Sequence, residues 1–176
     1  MLYTTFKFGW GPLENGWSLA AVGVVSAIVQ GLLLGRILKV VSPRRLAVMG
    51  LISSTLAYVL WGAATEGWMI FAIIFVNLLG ATVSSTIQSI ISGAADATEQ
   101  GRTLGAIGGL NSLMAVIAPT IGAPLLTMVS HLPQGDWRIG APFYFCAVLQ
   151  AIALALAITQ FTRERSEEHT SELQSH

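Results

Sequence analysis

Residues 18–38 read SLAAVGVVSAIVQGLLLGRIL, a stretch with two hydroxyls, one amide and no charge before Arg36. At about 1.5 Å of rise per residue, a helix of this length matches a hydrocarbon layer about 30 Å thick. Working outward, four further stretches have the same character, at 46–64, 69–91, 104–129 and 142–161. The 176-residue chain is 53% hydrophobic and 10% charged, whereas a soluble domain carries about 25% charge. The polar side chains are too few to cover a soluble surface, so the apolar excess must meet lipid. Barrel-like alternation of apolar and polar positions is absent, and the spans are therefore expected to be helices. The sequence predicts an all-α membrane protein with five complete transmembrane helices.

The segments between the spans, KVVSPRR, TEGW, SGAADATEQGRT and SHLPQGDWRIGA, are short and rich in Gly, Pro, Ser and charge, which suits antiparallel neighbours. Arg36, Lys39, Arg44, Arg45, Arg102 and Arg163 fall on one side of these helices, and Lys7 and Arg138 on the other. The positive-inside rule places the first side, with the carboxyl terminus, in the cytoplasm. Trp10, Trp17, Trp61, Trp68 and Trp137 all map to the opposite ends, where indole rings favour the headgroup boundary. The opening MLYTTFKFGWGPLENGW has too short an apolar part for a signal peptide. Residues 1–10 read instead as the last turns and exit loop of a sixth helix. Residues 165–176, RSEEHTSELQSH, match the translation of a common sequencing adapter and are set apart from the membrane unit at 1–164.

Polar side chains within lipid cost several kcal/mol unless partnered, so their positions carry information. Gln30 lies mid-span in the first helix. Asn77, Ser84 and Gln88 are seven and four residues apart, which puts them on one face of a continuous helix. Asn111 and Ser112 are followed by Ala115, Ala118 and Gly122, again a polar or small side. These faces predict either a substrate wall formed by Gln30, Asn77, Ser84, Gln88 and Asn111, or interhelical hydrogen bonds that hold the bundle together. No Asp, Glu, Lys or His occupies the centre of a span, so no proton- or ion-coupling group is visible. Glycine pairs at a spacing of four (Gly31 with Gly35, Gly105 with Gly109) and the pair Gly80 with Ser84 predict close helix contacts. Pro119 and Pro124, flanking Gly122 in APTIGAP, predict a bend in the fourth span. Cys146 has no partner for an internal disulfide and reads as a packing residue, and His131 reads as a solvated loop residue. Neither a metal set, a catalytic constellation nor a nucleic-acid surface is evident, so no cofactor is expected and an enzyme is the weakest reading.

The loop GLLLGRILKVVSPRR carries Gly35 and Arg36 at a helix end and Pro43, Arg44 and Arg45 after a short turn. Its guanidinium groups suit helix carbonyl ends and lipid phosphates. The loop resembles the repeated cytoplasmic motif of the major facilitator superfamily, without the acidic residue of the fuller version. The segments ENGWSLAAVGVVSAIVQGLLLGRIL, AYVLWGAATEGWMIF and EQGRTLGAIGGLNSLMAVIAPTIGAPLL resemble helices eight to eleven of the tetracycline-efflux group of drug:proton antiporters. APTIGAP is similar to an echo of the antiporter glycine-proline motif.

The resemblance implies half of a twelve-helix fold, with the five spans as helices eight to twelve. It also implies alternating access by two six-helix halves in the bacterial inner membrane, with a drug leaving as a proton enters. The implied partners are membrane lipid, the missing amino-terminal half, a small-molecule drug and the proton. Several tetracycline pumps carry an acidic residue within the ninth helix, where this chain has Ser53, Ser54 and Thr55. A related drug or metabolite exporter therefore stays open, as does a stand-alone scaffold or channel subunit that dimerises through its glycine faces.

Overall fold

The computed structural model describes residues 2–94, 99–133 and 136–174. In chain order these form α1 (Leu2–Phe8), α2 (Pro12–Ile28), a π-helical segment (Val29–Leu33), α3 (Leu34–Ile37), α4 (Pro43–Ala63), α5 (Trp68–Val76) and a 3-10 turn (Gly80–Thr82). α6 (Val83–Ala94), α7 (Gln100–Val129), a second 3-10 turn (Trp137–Gly140) and α8 (Ala141–Gln174) complete the chain. Strands are absent among the described residues, as expected where lipid leaves backbone groups no partner outside their own helix. Among the described residues four helices are long and apolar enough to cross a membrane: Pro12–Ile37, Pro43–Ala63, Gln100–Val129 and Trp137–Arg163. α5 and α6 together form a fifth candidate, bent by 57° at their break.

Local chemistry starts and turns these helices. Pro12 and Pro43 open α2 and α4, where a missing N–H costs nothing and the fixed φ is already helical. Gly9 has φ 68°, the left-handed conformation that lets α1 reverse into α2. Thr4 Oγ1 donates to Asn15 Oδ1 at 2.5 Å, and Asn15 Nδ2 donates to the Gly11 carbonyl at 2.8 Å, which ties the reversal together.

α4 is the centre of the bundle. It packs most extensively against α8 and also against α5 and α6. Its inner face buries Leu46, Ala47, Gly50, Leu51, Ser54 and Ala57. By contrast, α2 buries Asn15 alone and α7 buries Leu126 alone, so the first and fourth spans leave broad faces uncovered within this chain.

The aromatic ends meet as one cluster. Tyr3 Oη donates to the Trp61 carbonyl at 2.5 Å, and the buried Lys7 donates its Nζ to the Gly62 carbonyl. Gly62 in turn lies backbone-to-backbone against Gly140, and the Trp10 ring fills the space beside Gly67. α1 is thereby joined to α4 and to the start of α8.

Several expectations are corrected. The third span is not a continuous helix over 69–91: it stops at Val76, passes through a turn at 77–79 and restarts after Gly80–Thr82. An unbroken count of about 100° per residue therefore does not carry from Asn77 to Ser84 and Gln88. Pro119 and Pro124, where the fourth span is predicted to bend, both lie inside α7, without an interruption of the helix. A Cβ on Gly31, Gly35, Gly105, Gly109 or Gly122 would meet nothing within 4 Å among the described residues, so the close contacts expected of them are not made there. Cys146 is exposed rather than packed inside. The backbone of α8 continues through 165–174, whose side chains lie outside the described ones, as do residues 1, 95–98, 134–135 and 175–176.

Candidate functional site

The break in the third span gathers polar groups inside the bundle, among them the buried Ser54, Thr82 and Thr86. Where α5 ends, the last carbonyls lose their helical partners, and α4 supplies replacements. Ser53 Oγ donates to the Val76 carbonyl at 2.5 Å, and Ser54 Oγ donates to Asn77 Oδ1 at 3.3 Å. Thr82 Oγ1 donates to the Leu79 carbonyl at 2.7 Å. The approach is possible because both surfaces are cut back to glycine. A Cβ on Gly50 would lie 2.8 Å from the Leu79 carbonyl oxygen, and one on Gly80 would lie within 2.3 Å of Ser54 Oγ. Thr86, fully buried one turn further on, has a hydroxyl with no hydrogen-bond partner among the described residues.

The π-helical segment of the first span packs against the 3-10 turn of the third, so two irregular stretches of backbone face each other at this level. Single π turns interrupt helices frequently at functional positions. Beside them lies a small cavity of about 120 Å³, walled by Val22, Val25, Ser26, Trp61, Asn77 and Ala81 among others.

The five predicted wall residues are distributed in two environments. Asn77 caps α5, is half-buried, and turns its amide oxygen to Ser54 at the edge of this cavity. Gln30, within the π-helical segment, and Ser84, Gln88 and Asn111 are exposed. Gln88 Nε2 lies 3.5 Å from Ser84 Oγ on the same face of α6. α6 packs against α7, the helix that carries Asn111. Sequence reasoning missed Gly50, Ser53 and Ser54 as a set. Its signal was a glycine followed three and four residues later by hydroxyls in an apolar helix, the pattern of a polar interhelical contact.

At the basic end, Arg36 lies in the last turn of α3, and Gly35 beside it faces open space. Pro43 starts α4, and the Arg44 guanidinium stands 6.0 Å from the Phe161 ring centroid. At the aromatic end, Asp136 caps the Trp137–Gly140 turn by accepting from the Arg138 N–H at 2.8 Å and from its guanidinium at 2.8 Å. These hydrogen bonds hold the Asp136 carboxyl below its ordinary pKa. Among the described residues no group of His, Cys, Asp and Glu is placed to hold a metal.

The chain was compared with known proteins. The sequence profile of the Major Facilitator Superfamily matches residues 1–175. The class D tetracycline resistance protein of Salmonella ordonez is 30% identical over 157 residues, which cover 89% of this chain and 39% of the relative. The class B tetracycline resistance protein of Escherichia coli is 26% identical over 159 residues, with the same two shares of 89% and 39%. The Hippocampus abundant transcript 1 protein of Homo sapiens is 26% identical over 184 residues, 92% of this chain and 38% of the relative. This chain thus spans about two-fifths of the length of these relatives. No solved structure matches it. With a profile match along nearly its whole length and a bundle of helices long enough to cross the bilayer, the chain belongs to the Major Facilitator Superfamily, a family of membrane transporters.

Proposed function

We propose that this chain is the carboxyl-terminal half of a proton-coupled drug efflux pump of the bacterial inner membrane, working by alternating access on a tetracycline-like substrate. The observation that carries this reading is its likeness, over 89% of its residues, to two tetracycline resistance proteins of which it spans 39%. The uncovered helix faces support it. Gln30, Ser84, Gln88 and Asn111 are exposed in this chain, whereas a face turned permanently to lipid would leave amides without partners. In the proposed pump these side chains line a drug cavity that the amino-terminal six helices close. Asn77 braces the third span behind that wall through Ser54. The five spans are helices eight to twelve, and the arginine-bearing ends and the carboxyl terminus lie in the cytoplasm. The coupling carboxylates belong to the other half, because no span here carries an ionisable side chain at its centre.

A second reading keeps the transporter and changes the cargo. It is favoured by the likeness to the Hippocampus abundant transcript 1 protein, whose similarity extends over 92% of the chain. The hydroxyls at Ser53 and Ser54, where several tetracycline pumps carry an acid, belong here to the helix break.

Co-expression with the amino-terminal half of a tetracycline pump tests the proposal. Tetracycline efflux is expected from the pair and not from this chain alone, and Asn111→Leu and Gln88→Leu are expected to lower it. Resistance conferred by this chain alone would refute the half-pump reading. Efflux of other compounds, with tetracycline excluded, would select the second.

A further inference from the structure

The cavity beside the break in the third span is lined by more hydrogen-bond donors than the fold uses. Its volume is about 120 Å³, and Val22, Val25, Ile74 and Ala81 give it an apolar wall. The rest of the lining comes from three helices: Ser26 on α2, Trp61 on α4 and Asn77 at the end of α5. Ser54 engages Asn77 through Oδ1. The Asn77 Nδ2, the Ser26 hydroxyl and the Trp61 indole N–H have no hydrogen-bond partner among the described residues. Trp61 is held in place from behind, because its carbonyl accepts from Tyr3 and its ring packs on Phe143 with centroids 5.1 Å apart. A donor left unsatisfied away from water costs about 1–3 kcal/mol, so three around one space favour an occupant that accepts. Among the described residues no ionisable side chain lines the cavity, and a charged occupant would find no counter-charge. A cavity of about 150 Å³ holds one benzene ring, so this one admits a single ring and not a whole polycyclic drug. Val22 is 38% exposed on the uncovered face of α2, which puts the cavity beside the space that the proposed pump gives to its drug.

We propose that this cavity is a subsite for an uncharged, carbonyl-bearing ring of the transported compound, its oxygen accepting from the donors of Ser26, Asn77 and Trp61. The inference rests on the half-pump reading for the source of the ring. Water would answer the donors and wet four apolar side chains, and a plain hydrocarbon would do the reverse. A ring ketone satisfies both parts of the wall, in the manner of small-molecule sites that set a few polar groups in an apolar lining. The ester carbonyl of a lipid shares the acceptor without the ring.

The test is saturation-transfer NMR of the full chain in neutral detergent with cyclohexanone and with methylenecyclohexane, the same ring carrying a carbon in place of the oxygen. The ketone is expected to bind on the order of tenfold more tightly, from one or two hydrogen bonds. S26A/W61F removes two donors and keeps the shape, so it should abolish the preference. A81L fills the space and touches no donor, so it should abolish binding of both rings, whereas A151L, at an exposed position of α8, should change neither. If A81L does not fold, S26A/W61F decides. In cells that co-express an amino-terminal half, S26A/W61F should raise the KM for tetracycline efflux about tenfold with the maximal rate kept. Absence of ketone binding, equal binding of the two rings, a preference unchanged in S26A/W61F, or an unchanged KM would overturn the proposal. Displacement of the ketone by added phosphatidylcholine would assign the donors to a lipid ester and overturn it as well. A pair that pumps tetracycline while the ketone fails to bind refutes the subsite and keeps the half-pump. A pair that does not pump, with the ketone bound by the parent and lost in the variants, refutes the half-pump and keeps the carbonyl site.

Discussion

Replacing Gly140 with alanine places a methyl group where the backbone of α4 already stands. Its Cβ would lie 2.3 Å from the Gly62 carbonyl oxygen and 2.5 Å from Gly62 Cα. Unstrained contacts of this kind need about 3.5 Å, so the Trp137–Gly140 turn and α4 must part by about 1 Å. No rotamer change relieves the overlap, because both sides are main chain. Overpacking of this sort costs about 1–3 kcal/mol. The same movement draws the Gly62 carbonyl away from Lys7, whose hydrogen bond contributes about 1.5–3 kcal/mol as one from a charged donor. The expected loss is therefore about 2.5–6 kcal/mol. Reversible unfolding in mixed micelles with rising sodium dodecyl sulfate, followed by circular dichroism, measures it. Gly108→Ala is the internal control, since nothing lies within 4 Å of that position, and its change should stay within about 0.5 kcal/mol. A G140A chain within that same margin of the parent, or a G108A chain as unstable as G140A, would refute the argument from backbone contact.

Ser54→Ala leaves Asn77 Oδ1 without its donor and should destabilise the bundle by about 0.6 kcal/mol, the usual worth of such a bond between membrane helices; the same unfolding assay reads it. Thr86→Val replaces a buried hydroxyl that has no partner among the described residues with a methyl group of similar volume, and a gain of about 1 kcal/mol is expected; a loss would mean that the hydroxyl is satisfied. Asp136 has a carboxyl pKa depressed by Arg138, so the folded form holds its proton more weakly than the unfolded chain. Its stabilising effect is present above the ordinary carboxylate pKa and is lost as pH falls through the lower folded value. Melting temperatures of the parent and Asp136→Asn should therefore differ by a constant amount between about pH 5 and 8 and converge below about pH 4; a difference that persists unchanged into acid would refute it.

That the chain forms long apolar helices was legible because hydrophobic length is a local property. The break in the third span was not legible, since residues 77–79 read NLL and contain neither proline nor glycine. What accompanies it lies 23 residues earlier, where the Ser53 hydroxyl of α4 reaches the Val76 carbonyl that α5 leaves open. Spacing of four singled out Gly105 and Gly109, where a Cβ would meet nothing within 4 Å among the described residues, while Gly50, Gly62 and Gly140 make the tight contacts with partners far away in sequence. Of the candidate wall, the residue types were visible in the sequence; that Asn77 would be turned to Ser54 was not, because it depends on where the helix stops.

The break also bears on how the protein is made. Ribosomes deliver the chain from its amino terminus, so Ser53 and Ser54 enter the membrane before Val76 and Asn77 are synthesised. The partners for the open carbonyls are therefore already at hand when α5 emerges, and the third segment can adopt its bend on a surface laid down ahead of it. Reversing the order of these two segments in a permuted gene would remove that head start.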